Sequence, residues 1–219
     1  MGMVKKGIKI LSQLFNSAAE SLVWNGWYRN KYSSQVKAMR NPYSTCFSHC
    51  VCWLLQNHSD RFKTLLPDDV TKEINSSKYR EWTRRHLGAT VLNRFSGKLN
   101  QLWEVQRRYA QDKLDEAGIK KVANFRRVEK GNTDLLKTII RVSPICVSTA
   151  PSFNNRRLGH IMLMVDHKVT SEGEHWVVDD PFGDFRVNYT TGHVNTGNDL
   201  VVSLKSFEKI RTGYVLYIG

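Results

Sequence analysis

Apolar residues recur every three or four positions through much of the first half of this chain and gather into short runs in the second half. A period near 3.6 marks a helix that buries one face, and a short apolar run bounded by turn residues marks a strand. From Cys46 to His58, Phe47, Val51, Leu54 and Leu55 trace one helical face, preceded by the turn and cap formers Asn41, Pro42, Ser44 and Thr45. A shorter helix is expected over 67–74, opening around Asp68 and Asp69. A longer amphipathic helix runs through Leu99, Leu102, Trp103, Ala110 and Leu114 and ends near Gly118. Thr133 and Asp134 can cap a further helix through Leu135, Leu136, Ile139 and Ile140. Strands are then expected at 144–148, 161–165, 175–179, 185–189, 201–204 and 214–218. The pattern predicts an α+β fold, with a helical layer from the first part of the chain on a mainly antiparallel sheet from the second.

Residues 1–31 read as a separate basic amphipathic segment, with Ile8, Leu11, Phe15 and Ala18 on one helical face. Such a segment either packs on its own domain or lies on an anionic membrane or a partner. Trp24, Trp27 and Tyr28 form a hydrophobic anchor at its end. Residues 32–219 are expected to form one domain with a basic helical insertion at about 59–130, whose helices either shape access to a cleft or belong to the core.

Composition narrows the class. The 219 residues, 41% of them hydrophobic, suffice for one full-sized core. No apolar stretch approaches the ~20 residues of a membrane-crossing helix. Met1 to Phe15 lacks the apolar block and cleavage site of a secretory leader, so synthesis in the cytoplasm is expected. The four cysteines, Cys46, Cys50, Cys52 and Cys146, do not resemble a disulfide framework, since three of them share one predicted helix. His49, Cys50, Cys52 and His58 have the composition of metal ligands but lack paired CxxC elements and would spread around that helix. No metal and no cofactor is expected.

The net charge of +13 is unevenly placed. Residues 1–130 hold 24 Lys and Arg against 11 Asp and Glu, whereas 131–219 hold 9 of each. The clusters Arg84, Arg85, His86; Arg107, Arg108; and Lys120, Lys121, Arg126, Arg127 either form a solvated face or attract an anionic surface or polymer.

The candidate chemistry starts at Cys46, at the head of its helix. A thiolate is the nucleophilic form of cysteine, and a helix N-terminus or an imidazolium favours it. His160 opens one predicted strand and Asp180 closes the next, so in an antiparallel pair an imidazole and a carboxylate meet at one edge. A carboxylate on one ring nitrogen fixes the tautomer and leaves the other nitrogen to face the sulfur. Asp179 competes with Asp180, but strand alternation puts the two on opposite faces, so one alone can face His160.

These residues resemble the papain-like cysteine peptidases, in particular the branch similar to the peptidases that remove bacteriocin leaders after a double glycine. The motifs are Gln35, Asn41-Pro42 and Thr45-Cys46, then Gly159-His160 and Asp180-Pro181-Phe182-Gly183. The resemblance runs from about Tyr32 to the C-terminus and fades in the middle. The chain departs from the branch with Phe47, His49 and Cys50 after the thiol and with Leu158 before Gly159. The resemblance implies a papain-like fold with Cys46 as nucleophile, His160 as general base and acid, Asp180 orienting His160, and Gln35 donating to the oxyanion. It implies a peptide or protein substrate, either a cell-wall peptide or a processed polypeptide. Two other classes share these residues: a thiol acyltransferase, and an inactive papain-like shell that binds a polyanion or acidic partner through its basic half.

Overall fold

The computed structural model describes residues 27, 32, 45–88, 99–153, 156–157, 159–190 and 196–219. Apart from Trp27, the amphipathic segment at 1–31 lies outside the described residues, as do Gln35 and the Asn41-Pro42 turn. The architecture is α+β, with helices packed on a six-stranded sheet in which every neighbouring pair is antiparallel. The strands are β1 (Ala123–Arg127), β2 (Ile145–Thr149), β5 (His160–Thr170), β6 (Gly173–Asp179), β7 (Leu200–Ser203) and β8 (Arg211–Ile218), in the spatial order β1-β8-β2-β5-β6-β7. A two-stranded ribbon of β3 (Ser152–Phe153) and β4 (Arg156–Arg157) joins β2 to β5.

Both faces of the sheet are covered, which explains why its central strands read as unbroken apolar runs. On β5, Ile161, Leu163 and Val165 enter one core and Met162 and Met164 the other, the period-two alternation of a strand. The first core is capped by α1 (Cys46–His58), α2 (Pro67–Ile74), α3 (Ser77–Leu87) and α4 (Leu99–Glu116). The second is closed by α5 (Thr133–Ile140) and α6 (Leu204–Ile210).

Every residue of α1 from Phe47 to Asn57 is buried, so this helix is the hub of the first core. Burying a Val, Leu or Phe side chain is worth about 1.5–3 kcal/mol, and α1 supplies Phe47, Val51, Leu54 and Leu55 together. Phe47 meets Trp103 of α4 at 4.3 Å between ring centroids, and Trp103 stacks on Phe125 of β1 at 5.7 Å. The 59–130 segment is thus woven into the domain: α4 packs in the central core, and β1 pairs with β8 from Ala123↔Ile218 to Arg127↔Tyr214. Arg126 and Arg127 lie on the exposed end of this edge strand, where charge discourages edge-to-edge pairing.

Several local expectations are corrected. Residues 185–189 do not form a strand. Phe185–Val187 is a 3-10 turn whose first N–H groups are capped by the Asp184 side chain, which accepts from Arg186 N–H at 2.9 Å. The cap of α5 is Asn132, accepting from Leu135 N–H, rather than Thr133 or Asp134. Thr45 precedes α1 without a side-chain cap bond. Helix α3, with its Arg84-Arg85-His86 end and Gly88 at φ +62°, was legible only as a charge cluster.

Trp27 explains how residues ahead of α1 dock on the domain. The β5–β6 register shifts between Met164 and Asp166, leaving Val165 out of that ladder. The Trp27 N–H donates to the Val165 carbonyl at 2.9 Å and its indole Nε1–H to the Ile140 carbonyl at 2.7 Å.

Candidate functional site

The site forms where α1 meets the sheet. Cys46 is the first residue of α1, where the N–H groups of a helix's first turn and the helix dipole favour negative charge. It is half-buried, whereas Cys50, Cys52 and Cys146 are fully enclosed. Cys50 directs its thiol to the Ile161 carbonyl and Cys52 to the Leu65 carbonyl, which separates them from each other and from the Cys46 position. Burial pushes the thiols of Cys50, Cys52 and Cys146 up, so they stay protonated.

His160 opens β5 opposite Thr149. Its Nε2 lies 2.6 Å from Oδ1 of Asp180, and Cys46 is near enough to bear on the same ring. With Nε2 engaged, Nδ1 is the ring nitrogen left for the sulfur. Burial by itself would pull the imidazole down; the Asp180 carboxylate and Cys46 override it and push His160 up to about 10. The ring therefore favours its charged form between two acceptors.

Asp180 follows β6 and is completely enclosed. Oδ1 accepts from His160 and from the Phe182 N–H at 2.8 Å, and Oδ2 accepts from the Tyr189 hydroxyl at 3.1 Å. Its backbone is held as well: its N–H donates to the Gly197 carbonyl at 2.7 Å, and its own carbonyl accepts from the Tyr32 hydroxyl at 2.7 Å. Gly197 has to be glycine, because a Cβ there would stand 2.0 Å from the Asp180 carbonyl oxygen and 2.6 Å from the Tyr32 hydroxyl. Asp179 points elsewhere: its Oδ1 accepts from the Asp199 N–H at 2.8 Å and ties the end of β6 to the turn before β7. Of the two adjacent carboxylates, Asp180 is the one on His160.

Behind the site, the next turn of α1 carries His49. Its Nδ1 lies 3.1 Å from the Thr45 carbonyl and its ring meets Trp53 edge-on at 5.7 Å, while Trp53 stacks on Tyr32 at 5.2 Å. Burial lowers His49 to about 4 against the Thr45 carbonyl, and the nearby His160 charge pushes the same way. A neutral His49 beside a charged His160 avoids two buried like charges.

Tyr32, Tyr189 and Gly197 support the site without having been picked out from the sequence. By its sequence Tyr189 reads as a strand residue, which hides a return turn. The one local signal was Asn188, a residue type that tolerates the left-handed conformation it adopts at φ +52°.

The basic clusters are largely paired locally. Arg84 and Arg85 meet Glu81, Arg107 meets Glu104, Arg108 meets Asp112 and Arg127 meets Glu129. Among the described residues, no helix is long and apolar enough to cross a membrane, and no cluster of His, Cys, Asp and Glu has the arrangement of a metal site. Compared with protein-family models and with curated proteins, the sequence matches none, so the chemistry of the site rests on its own geometry.

Proposed function

We propose that this protein is a cysteine hydrolase, a papain-like peptidase that cleaves a peptide or isopeptide amide through a thioester. The observation that carries the reading is the chain of contacts from Cys46 to His160 to Asp180, with the thiol at a helix head and the carboxylate enclosed. In this reading the Cys46 thiolate attacks the amide carbonyl, and the Cys46 backbone N–H at the helix head donates to the oxyanion. His160 then donates its proton to the leaving amine, which departs as the C–N bond breaks and a thioester remains. Water, deprotonated by the now neutral His160, attacks the thioester carbonyl; the C–S bond breaks, the acyl group leaves as a carboxylic acid, and the thiolate–imidazolium pair is restored. Asp180 keeps the imidazole oriented and supports its charge throughout. Gln35 joins the oxyanion site by resemblance to the double-glycine leader peptidases.

The test is alkylation of Cys46 by iodoacetamide across a pH series, mapped by mass spectrometry, in wild type and His160→Ala. Fast modification of Cys46 well below the ordinary thiol pKa of about 8.5, lost in the variant, supports the reading and directs a screen of peptide substrates with Cys46→Ala as control. Modification of Cys46 with the pH dependence of an ordinary thiol overturns it.

A further inference from the structure

Among the described residues, Asp180 receives one side-chain donor besides His160, and it comes from an improbable place in the backbone. The Phe182 N–H bond to Oδ1 is local, spanning two residues, and the sharp Asp-Pro turn accounts for it. The Tyr189 hydroxyl on Oδ2 comes from nine residues on and needs the chain to fold back. The return is built by the 3-10 turn Phe185–Val187, by Asp184 gripping the Arg186 guanidinium, and by the Tyr189 N–H bonding the Asp184 carbonyl at 3.0 Å. Two consecutive residues then adopt left-handed backbone, Asn188 at φ +52° and Tyr189 at φ +61°. For Asn this is common, but for an aromatic residue it is an outlier that surrounding structure must hold in place, and such outliers gather at functional sites. The Tyr189 ring is buried edge-on against Phe182 at 5.0 Å, and Phe182 in turn meets the His160 ring edge-on at 6.4 Å.

From this geometry we infer that Tyr189 is a positioning residue, whose hydroxyl holds the Asp180 carboxylate in the plane that His160 requires. The inference rests on the proposed function for its purpose, although the contact itself does not. An enclosed carboxylate with one oxygen on an imidazole and the other unsupported can rotate or lose its charge; a donor on the second oxygen prevents both. Tyr189 remains a donor, because burial and then the Asp180 charge push its hydroxyl far up. The other titratable groups that bear on Asp180 are His160 of β5, Cys50 of α1, and Tyr32. Tyr79, whose buried hydroxyl donates to Asp112 at 2.9 Å between α3 and α4, provides a control for the loss of a tyrosine hydroxyl away from the pair.

The experiment is an NMR titration of the His160 imidazole in the full chain, comparing wild type, Tyr189→Phe and Tyr79→Phe. Tyr189→Phe keeps the ring and its packing and removes only the hydroxyl. The expected result is that His160 gives up its proton about one pH unit lower in Tyr189→Phe, the loss of a bond worth about 1.4 kcal/mol to the charged pair. Tyr79→Phe is expected to leave the His160 titration in place. A Tyr189→Phe titration that superimposes on wild type, or an equal shift in both variants, overturns the positioning role. The readout needs no substrate. Ordinary reactivity of Cys46 with a shifted His160 would sink the peptidase reading and keep the role of Tyr189; fast alkylation with an unmoved His160 would do the reverse.

Discussion

His160 and Asp180 stand twenty positions apart in sequence and 2.6 Å apart between Nε2 and Oδ1, at the start of β5 and just past the end of β6. The pair is enclosed, so it is weakly screened and its removal leaves a buried group without its partner. Asp180→Asn is nearly isosteric but carries no charge and can misorient the ring. We expect it to lower the alkylation rate of Cys46 at mildly acidic pH by about tenfold or more, one pKa unit of lost support being about 1.4 kcal/mol. Asp179→Asn, whose side chain holds the Asp199 N–H, is expected to change that rate little while weakening the β6–β7 turn. Equal effects of the two substitutions would contradict the assignment of Asp180.

The close approach of Gly197 to Asp180 gives a second prediction. A Cβ at 2.0 Å from a backbone carbonyl oxygen cannot be relieved by rotating a side chain, so one of the two backbones has to move. Gly197→Ala is expected to cost about 1–3 kcal/mol, as overpacking does elsewhere, and to reduce Cys46 reactivity by displacing Asp180. Chemical denaturation together with the alkylation rate checks both halves.

Acid stability should be set by two histidines on α1. Burial lowers His49 to about 4 and, with the Lys121 ammonium adding to it, lowers His58 to about 3, from an ordinary value of 6.5. At these two sites the unfolded chain binds more protons than the folded one between 6.5 and these values, so their contribution to stability is full above 6.5 and is lost as pH drops toward 4 and then 3. With each unit worth about 1.4 kcal/mol, the loss amounts to several kcal/mol. His58 bonds Ser143 at 3.0 Å and Lys121 at 3.2 Å, so His58→Gln keeps a polar side chain there while removing its titration. Urea unfolding from pH 7 to pH 4 should show a shallower slope in this variant; an unchanged slope would place the acid sensitivity elsewhere.

Helix α4 is predicted to be part of the central core. Trp103 is almost fully buried between Phe47 and Phe125, and Trp103→Ala should destabilise the whole domain by about 3–5 kcal/mol, the usual cost of removing a large buried aromatic. An appended insertion would predict a local loss, with hydrogen exchange at β5 and β6 unaffected. Faster exchange throughout β5 is the outcome expected here.

Periodicity alone determined much of this protein: the helix from Cys46 to His58, the short helix opening at Pro67, the long one through Trp103, and the positions of β2, β5, β6, β7 and β8. These elements bury one face or both, so their apolar spacing records the local geometry directly. It also placed Cys46 at a helix head and put His160 and Asp180 at strand ends, since caps and turns are local chemistry. What depends on contacts between distant residues was decided only by the tertiary structure. Asp180 rather than Asp179 meets His160 because of how β6 ends and how Gly197 and Tyr32 hold its backbone. Residues 185–189 look like a strand but become a turn because Asp184 caps it and Tyr189 is drawn back to Asp180. β1 was invisible because an edge strand with exposed Arg126 and Arg127 carries little apolar pattern, its place being assigned by pairing with β8. Local periods report which face of an element is buried; they hold no information on which distant group it is buried against.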